Sequence, residues 1–330
     1  MRAMTFERYG PPEVVTMTDV PIPAAGPGEV LVKNFAALLA STDSTARGGT
    51  PAFARLYFGL SKPRFPILGS EFAGVVEAVG EGVTRFSIGD RVFGIVEAFG
   101  AHAEYVCVAE TQAIAIAPAG LDHATAVALT EGPLTAIPFL RDTARLQPGQ
   151  HILINGASGS VGSAAVQLAK HMGATVTAVT STANLELVKS LGADFVIDYA
   201  SEDFTRANGV FDVIFDAVAK CSFSKARKAL KPRGIYLTTV PSLAIGPQML
   251  WTSIFPGKRA AISLTGLRSA IKKNADLEFI TDIVREGAFT PLIDRRYPLD
   301  DAALAHAYVD TGRKKGNVVL TMWPEPSESS

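Results

Sequence analysis

The sequence predicts an α/β chain in which a β-rich segment precedes a doubly wound parallel sheet. Three observations carry that reading. From His151 onward, short apolar runs alternate with helical periodicity, the pattern of parallel strands covered on both faces. Before about Ala119 the chain instead shows short strand patterns cut by turns such as Gly10-Pro-Pro and Gly89-Asp90. At the junction stands His151-Ile-Leu-Ile-Asn-Gly156-Ala-Ser-Gly159-Ser-Val-Gly162, which reads as strand, glycine turn and helix start. Its spacing is G-x-x-G-x-x-G, not G-x-G-x-x-G, so the strand before and the helix after carry the assignment. Free amides and the positive end of the helix dipole at such a turn make a pyrophosphate cradle.

The elements follow in order. Residues 2–6, 14–18, 29–37, 67–79, 90–95 and 102–108 read as strands. Between Asp43 and Pro66 the pattern breaks, and an apolar piece, 53–60, sits in an irregular loop that is either a lid, a substrate wall or a packed surface loop. A helical run from Asp122 to Ala144 has Asp122 as N-cap and a kink or restart at Gly132-Pro133. Strands at 151–155, 175–180, 195–198, 210–218, 235–240 and 259–264 then alternate with helices at 160–172, 183–191 and 223–230. Lys231-Pro-Arg-Gly234 reads as a turn. A helix at 274–286 and a final strand–helix–strand, the helix stopped by Gly312, complete the chain, and 324–330 reads as a disordered tail.

The chain has 330 residues, enough for two domains, with 48% hydrophobic and 19% charged residues. A net charge of −1 gives no electrostatic reason to expect nucleic acid or membrane as a partner. Met1 leads straight into strand-like sequence, and no apolar run approaches a membrane span. Cys107 and Cys221 lie far apart, without Cys or His neighbours at metal-ligand spacing, so a reducing, cytoplasmic setting is expected. The five histidines, 102, 123, 151, 171 and 306, are scattered and read as core or surface residues.

Five stretches together carry a family resemblance: Pro66-Ile-Leu-Gly-Ser-Glu71-Phe-Ala-Gly-Val-Val-Glu-Ala-Val-Gly80, Gly89-Asp-Arg-Val-Phe-Gly94, Gly156–Gly162, Leu191-Gly-Ala-Asp194 and Val196-Ile-Asp-Tyr199. Over essentially its whole length the chain resembles the medium-chain dehydrogenase/reductase superfamily. Glu104-Tyr-Val and the Asn155–Gly159 turn make it look most like the zinc-free quinone oxidoreductase branch. The resemblance implies a GroES-like β domain from residues 1–122 and 267–330, and a Rossmann domain, a doubly wound parallel sheet binding NADP(H), at 123–266. It also implies a homodimer joined through sheet edges, with 259–264 as the edge strand.

Zinc-containing members of that superfamily carry ligands at positions that read Ala40, Ser70 and Glu131 here, and their cysteine-rich structural loop is missing between Gly94 and His102. Zinc needs three protein ligands, preferably N or S, so none is expected. Alcohol oxidation without a metal or a base dyad lacks a way to hold the alkoxide. Hydride addition to a quinone or enone leaves a delocalised oxyanion that one donor or water can satisfy. An NADPH-dependent reductase of quinones or α,β-unsaturated carbonyls is therefore the leading expectation. An alcohol or ketone dehydrogenase of the same fold, and a non-catalytic NADPH-binding structural or sensor protein, are the alternatives.

Gly156, Ser158, Gly159, Ser160 and Val161 form the expected pyrophosphate turn. An NAD site usually ends its second strand on an acid that binds the ribose. Here the end reads Thr180-Ser181-Thr182, and with Lys189 following it favours NADPH over NADH. Ser181 and Thr182 can equally serve as caps of the next helix. Asp216 and Thr239-Val240 end the fourth and fifth strands, where a ligand lies in such sheets. The resemblance adds Tyr199 on the adenosine side and Thr135 near the nicotinamide. It also places Ser41, Thr42 and Asp43 where cofactor and substrate meet. Thr42 is then the donor to a substrate oxygen, and Asp43 more a turn-stabilising residue than a proton carrier. Tyr57 matches, loosely, a proton-donating tyrosine of enoyl reductases, or packs. Glu131 bonds the nicotinamide ribose, relays protons or merely starts a helix, and Glu71 reads as structural. Trp251, in the apolar stretch 247–255, walls the substrate pocket or a subunit interface.

Overall fold

A computed structural model describes residues 1–240, 245–254 and 256–323. Phe255 and the expected tail 324–330 lie outside these residues. The chain divides into two compact units. One comprises Met1–Glu131, Ser269–Arg285 and the described residues from Pro291 onward, and the other Gly132–Arg268 and Glu286–Thr290. The short helix His123–Val127, expected with the nucleotide-binding half, thus belongs to the first unit.

The first unit is built on Glu29–Leu38, the central strand of a largely antiparallel sheet. It pairs with Glu71–Val79 on one side, and with Tyr105–Ala109 and Asn317–Thr321 at its two ends. Arg91–Ile95 and Ala113–Ile116 continue the sheet, and Ile293–Pro298 closes the other edge in parallel with Asn317–Thr321. The alternation of large apolar residues in these strands buries one core, which includes Val32, Phe72, Val92, Ile114, Val318 and Leu320. Asp122 caps His123–Val127 through the Thr125 amide, as expected, and also binds Arg296.

Some expectations fail here. The stretch after Leu39 is not irregular from Asp43: it forms the helix Ser41–Gly48, followed by a 3₁₀ turn Ala52–Ala54 and a short helix Arg55–Phe58. The helix carries no apolar stripe, since only Asp43, Ala46 and Arg47 are buried, which is why periodicity misses it. The strand Ala113–Ile116 was not expected at all.

The second unit is a six-stranded, all-parallel sheet in the order 3-2-1-4-5-6, counted from His151–Asn155. That order reverses direction between its first and fourth strands, the arrangement of a dinucleotide-binding sheet. Thr175–Thr180 and Phe195–Asp198 have the expected bounds, and Gly173 and Gly192 take left-handed φ values of 77° and 101° where helices stop. Lys231-Pro-Arg-Gly234 is not a turn between elements but an irregularity within the strand Leu230–Thr238, where the register against Phe211–Asp216 shifts. The expected long helices at 183–191 and 223–230 shrink to Leu185–Ser190 and Phe223–Ala226. The helical run restarts at Glu131, the residue immediately before Gly132-Pro133, and passes into a π-helical turn Pro138–Ala144.

Candidate functional site

In the second unit the buried strand His151–Asn155 delivers the chain to Gly156, whose φ of 82° only glycine adopts without strain. A Cβ at Gly156 would lie 2.3 Å from Val218 Cγ1, and one at Gly162 would lie 2.1 Å from the Gly156 carbonyl oxygen. Gly162 therefore lets the helix seat on the glycine turn itself. Gly159 is the N-cap of Ser160–His171, and no side chain caps that helix start, which leaves its positive dipole end open to an anion.

Hydroxyls tie the turn to the second strand. Ser158 Oγ accepts from Thr180 Oγ1 at 2.9 Å and from Asn184 Nδ2 at 3.2 Å, and Asn184 Nδ2 also reaches Ser181 Oγ at 3.2 Å. A second anchor is Asp216, fully buried at the end of the fourth strand. Its carboxylate accepts from Asn155 Nδ2 (2.9 Å), the Tyr236 hydroxyl (3.0 Å) and the Cys221 amide (2.8 Å). It thus fixes both the residue before Gly156 and the turn that carries Val218 against it. Burial, then Asp216, pushes the Cys221 thiol up to about 11 and the Tyr236 phenol higher, so both stay protonated. Sequence reasoning placed Asp216 at this end but missed Val218, Asn184 and Tyr236, which converge only through the sheet order.

At the carboxyl end of the second strand the picture changes. Ser181 is half-buried and Thr182 exposed, and both lie at the end of the second strand as expected. Thr182 Oγ1 donates to Asp198 Oδ2, so an acid from the third strand reaches this site although the second strand has none. Hydrogen bonds from Thr182 and the Ala200 amide hold Asp198 below the usual carboxylate range. Lys189 pairs with Glu186 at 2.8 Å in the last turn of Leu185–Ser190. Tyr199 is exposed, and its amide bonds the Thr180 carbonyl, which sets the ring at the strand ends. Val240 and Val218 are both exposed apolar residues just past the fifth and fourth strands. Thr135 is half-buried in Glu131–Ile137, and Trp251 is exposed on the helix Ile245–Ile254.

The first unit gathers three carboxyl groups. Asp43 is 1% exposed, and its two oxygens accept from the Ala40 amide (2.8 Å) and the Gly69 amide (2.9 Å). It holds two loops together, so the turn-stabilising reading fits its geometry. Burial raises its pKa, against His102 and those amides. Glu71 is pushed well above the ordinary value by burial, then by Asp43 and Glu131. Its carboxyl therefore holds a proton more tightly than a solvent-exposed one would. Glu131 starts its helix and faces Lys314 Nζ at 3.6 Å, a partner that sequence reasoning missed. Ser41 and Thr42 are exposed in the first turn of Ser41–Gly48. Tyr57 is half exposed and packs against Phe58 and Phe65, with ring centroids 5.1 and 5.9 Å away. Its hydroxyl has no hydrogen bond among the described residues, so the structure supports its packing role and leaves the phenol open.

Comparison with known proteins places this architecture. The family model described as "Alcohol dehydrogenase GroES-like domain" matches residues 26–118, and one described as "Zinc-binding dehydrogenase" matches 191–320. The chain is 33% identical to a 2-methylene-furan-3-one reductase of Solanum lycopersicum, covering 97% of this chain and 79% of that protein. It is 31% identical to a chloroplastic NADPH-dependent alkenal/one oxidoreductase of Arabidopsis thaliana over the same shares. The solved quinone oxidoreductase of Coxiella burnetii superposes with a TM-score of 0.85 at 30% identity, covering 98% of this chain and 99% of that one. The chain therefore belongs to the medium-chain dehydrogenase/reductase superfamily, in its quinone oxidoreductase-like branch.

Proposed function

We propose that this protein is an NADPH-dependent, zinc-free oxidoreductase that reduces quinones or α,β-unsaturated carbonyls by hydride transfer. The observation that carries the proposal is the glycine turn: a Cβ at Gly156 or Gly162 would collide with Val218 or with the turn's own backbone. Such a close-packed turn, opening an uncapped helix, is built for backbone approach to a pyrophosphate. The printed activities of the relatives, an enone reductase, an alkenal/one reductase and a quinone reductase, support the substrate class.

Bound NADPH would supply the hydride. Ser158 and the first turn of Ser160–His171 would hold its pyrophosphate, with Ser181 and Thr182 on its ribose. Reduction of an enone adds that hydride to the β-carbon and a proton to the α-carbon or oxygen. Thr42 and Tyr57 offer hydroxyl donors, and Glu71 a carboxyl whose hold on its proton is raised by burial and then by Asp43 and Glu131. The zinc-free reading is supported by the residues at the ligand positions: Ala40 has no donor, and the Glu131 carboxylate already faces Lys314.

Asp198 favours NADH as a second reading, because its carboxylate accepts from Thr182, one of the two hydroxyls that would hold the ribose. Exchanging Ser181 for Asp decides between them: the Michaelis constant for NADPH should rise far more than that for NADH, and equal effects would overturn the NADPH assignment. Following NADPH oxidation with a panel of quinones, enones and simple ketones tests the function itself. Turnover of ketones alone would replace the reductase reading with a ketone dehydrogenase, and tight NADPH binding without turnover would favour a non-catalytic role.

A homodimer is part of the same proposal, supported by Leu250, Trp251 and Ile254, exposed beside the edge strand Arg259–Ala261. Sedimentation as a monomer at micromolar concentration would remove it. Cytoplasmic placement rests on the two free cysteines, and cell fractionation tests it.

A further inference from the structure

The second unit has an under-covered sheet face toward the amino ends of its first strands. Register places His151, Thr177, Phe195 and Ile197 on one face, since Phe195 pairs with Thr177, and Ile197 with Val179, while Leu153 pairs with Thr177. The crossover that should cover this face, residues 199–210, contains only the 3₁₀ turn Phe204–Arg206. A parallel crossover usually contributes an α-helix at this point. With one turn in place of a helix, only Phe204 and Ala207 pack down onto the neighbouring core. What remains is a cavity of about 620 Å³ at the amino ends of the strands. The expected cofactor lies at the carboxyl ends, about 10–13 Å from His151 and Phe195 along strands of this length.

The cavity's chemistry is specific. Its walls include Phe195, Phe204 and Phe211, with the His151 ring 4.9 Å from Phe211 and 6.0 Å from Phe195. Phe195 is 58% exposed, unusual for a phenylalanine in a strand, so its face is free to receive a planar group. His151 Nε2 lies 2.8 Å from Thr177 Oγ1. Burial, then Lys231, lowers the His151 pKa, so this wall carries no positive charge at neutral pH. The covering segment presents Glu202 and Asp203 at the rim. Arg206 lies beside Asp203 and offsets one of the two charges. Glu202 makes no ion pair among the described residues.

We propose that this cavity is a second small-molecule site, for a planar aromatic compound bearing a positive charge, such as an aromatic amine. The ring lies against Phe195 and the His151–Phe211 pair, and the ammonium faces Glu202. The volume falls within the usual range for ligand pockets. No covalent step is involved, and the site does not depend on the cofactor assignment.

Tryptamine is a suitable probe, with indole-3-acetate as its anionic counterpart, titrated by calorimetry and ligand-observed NMR with and without NADP⁺. The expected result is saturable one-to-one binding of tryptamine in the millimolar range, about what a ligand of this size achieves. NADP⁺ should leave it unchanged, and indole-3-acetate should bind at least roughly tenfold more weakly. Phe195→Ala should weaken tryptamine by roughly five- to tenfold, and Glu202→Gln by roughly threefold. Both side chains are exposed, so both variants should fold, and an unchanged circular-dichroism melt checks that. Absence of saturation up to about 10 mM, displacement by NADP⁺, or affinity indifferent to both substitutions would each overturn the proposal.

Discussion

At the residue scale, the decisive groups are those whose partners come from elsewhere in the sequence. Asp198 belongs to the third strand, yet it accepts a hydrogen bond from the hydroxyl of Thr182, which follows the second. Removing its charge should favour a 2′-phosphate. Asp198→Asn is expected to lower the Michaelis constant for NADPH by roughly two- to fivefold and leave NADH within a factor of about two. Steady-state kinetics with both cofactors checks this. His306 is a residue of another kind, fully buried beside His102 and Arg47, the latter paired with Asp310. Burial, then His102 and Arg47, lowers its pKa to about 2. An unfolded histidine titrates near 6.5, so below that pH only the unfolded state takes up the proton. Stability is therefore retained above about pH 6.5 and lost as pH falls, by about 1.4 kcal/mol per unit for this one group. Urea midpoints measured at descending pH should show the loss, and His306→Leu should flatten that acid limb. An unchanged slope in the variant would place the acid sensitivity elsewhere.

At the element scale, the glycine turn is the sharpest case. Gly162→Ala would set a methyl 2.1 Å from a backbone oxygen that has no freedom to move away. The expected outcome is a loss of at least roughly 2 kcal/mol in stability and of measurable NADPH binding, read by denaturation and fluorescence titration. This turn was legible in the sequence because its strand, glycines and helix are contiguous. The strand ends at Thr180 and Asp198 were equally legible, each a short strand-like run bounded by a turn signal. The helix Ser41–Gly48 was not, because its residues are mostly polar and it is held by Asp43 binding the distant Gly69 amide. The same reason hid Lys314 behind Glu131 and Val218 behind Gly156. Local pattern reports elements, whereas these contacts are made by pairing across the sheets.

At the scale of the whole molecule, each unit draws on separated parts of the chain. The first is closed by Asn317–Thr321, whose Val319 and Leu320 pair with Leu38 and Ala37. Leu320 is fully buried in that core. Leu320→Ala should cost about 2–5 kcal/mol by denaturant unfolding, an effect as large as in any central strand. A value near zero would mean that this last strand is dispensable. In the second unit, Glu286–Thr290 returns to the helix Ser160–His171, where Thr290 exchanges hydrogen bonds with Gln167 of 2.9 and 3.0 Å.

The pairing of Val319 with Leu38 also sets a schedule. During synthesis the residues of the nucleotide-binding sheet have all left the ribosome before the strand that completes the first unit exists. The opening β-rich segment must therefore wait, with the Leu38 end of its central strand unpaired on one side, while the later-made sheet is free to form first. Pulse-labelled exchange during refolding should protect Ile152–Ile154 amides before those of Ala37 and Leu38. The opposite order would show that the early segment closes by another route.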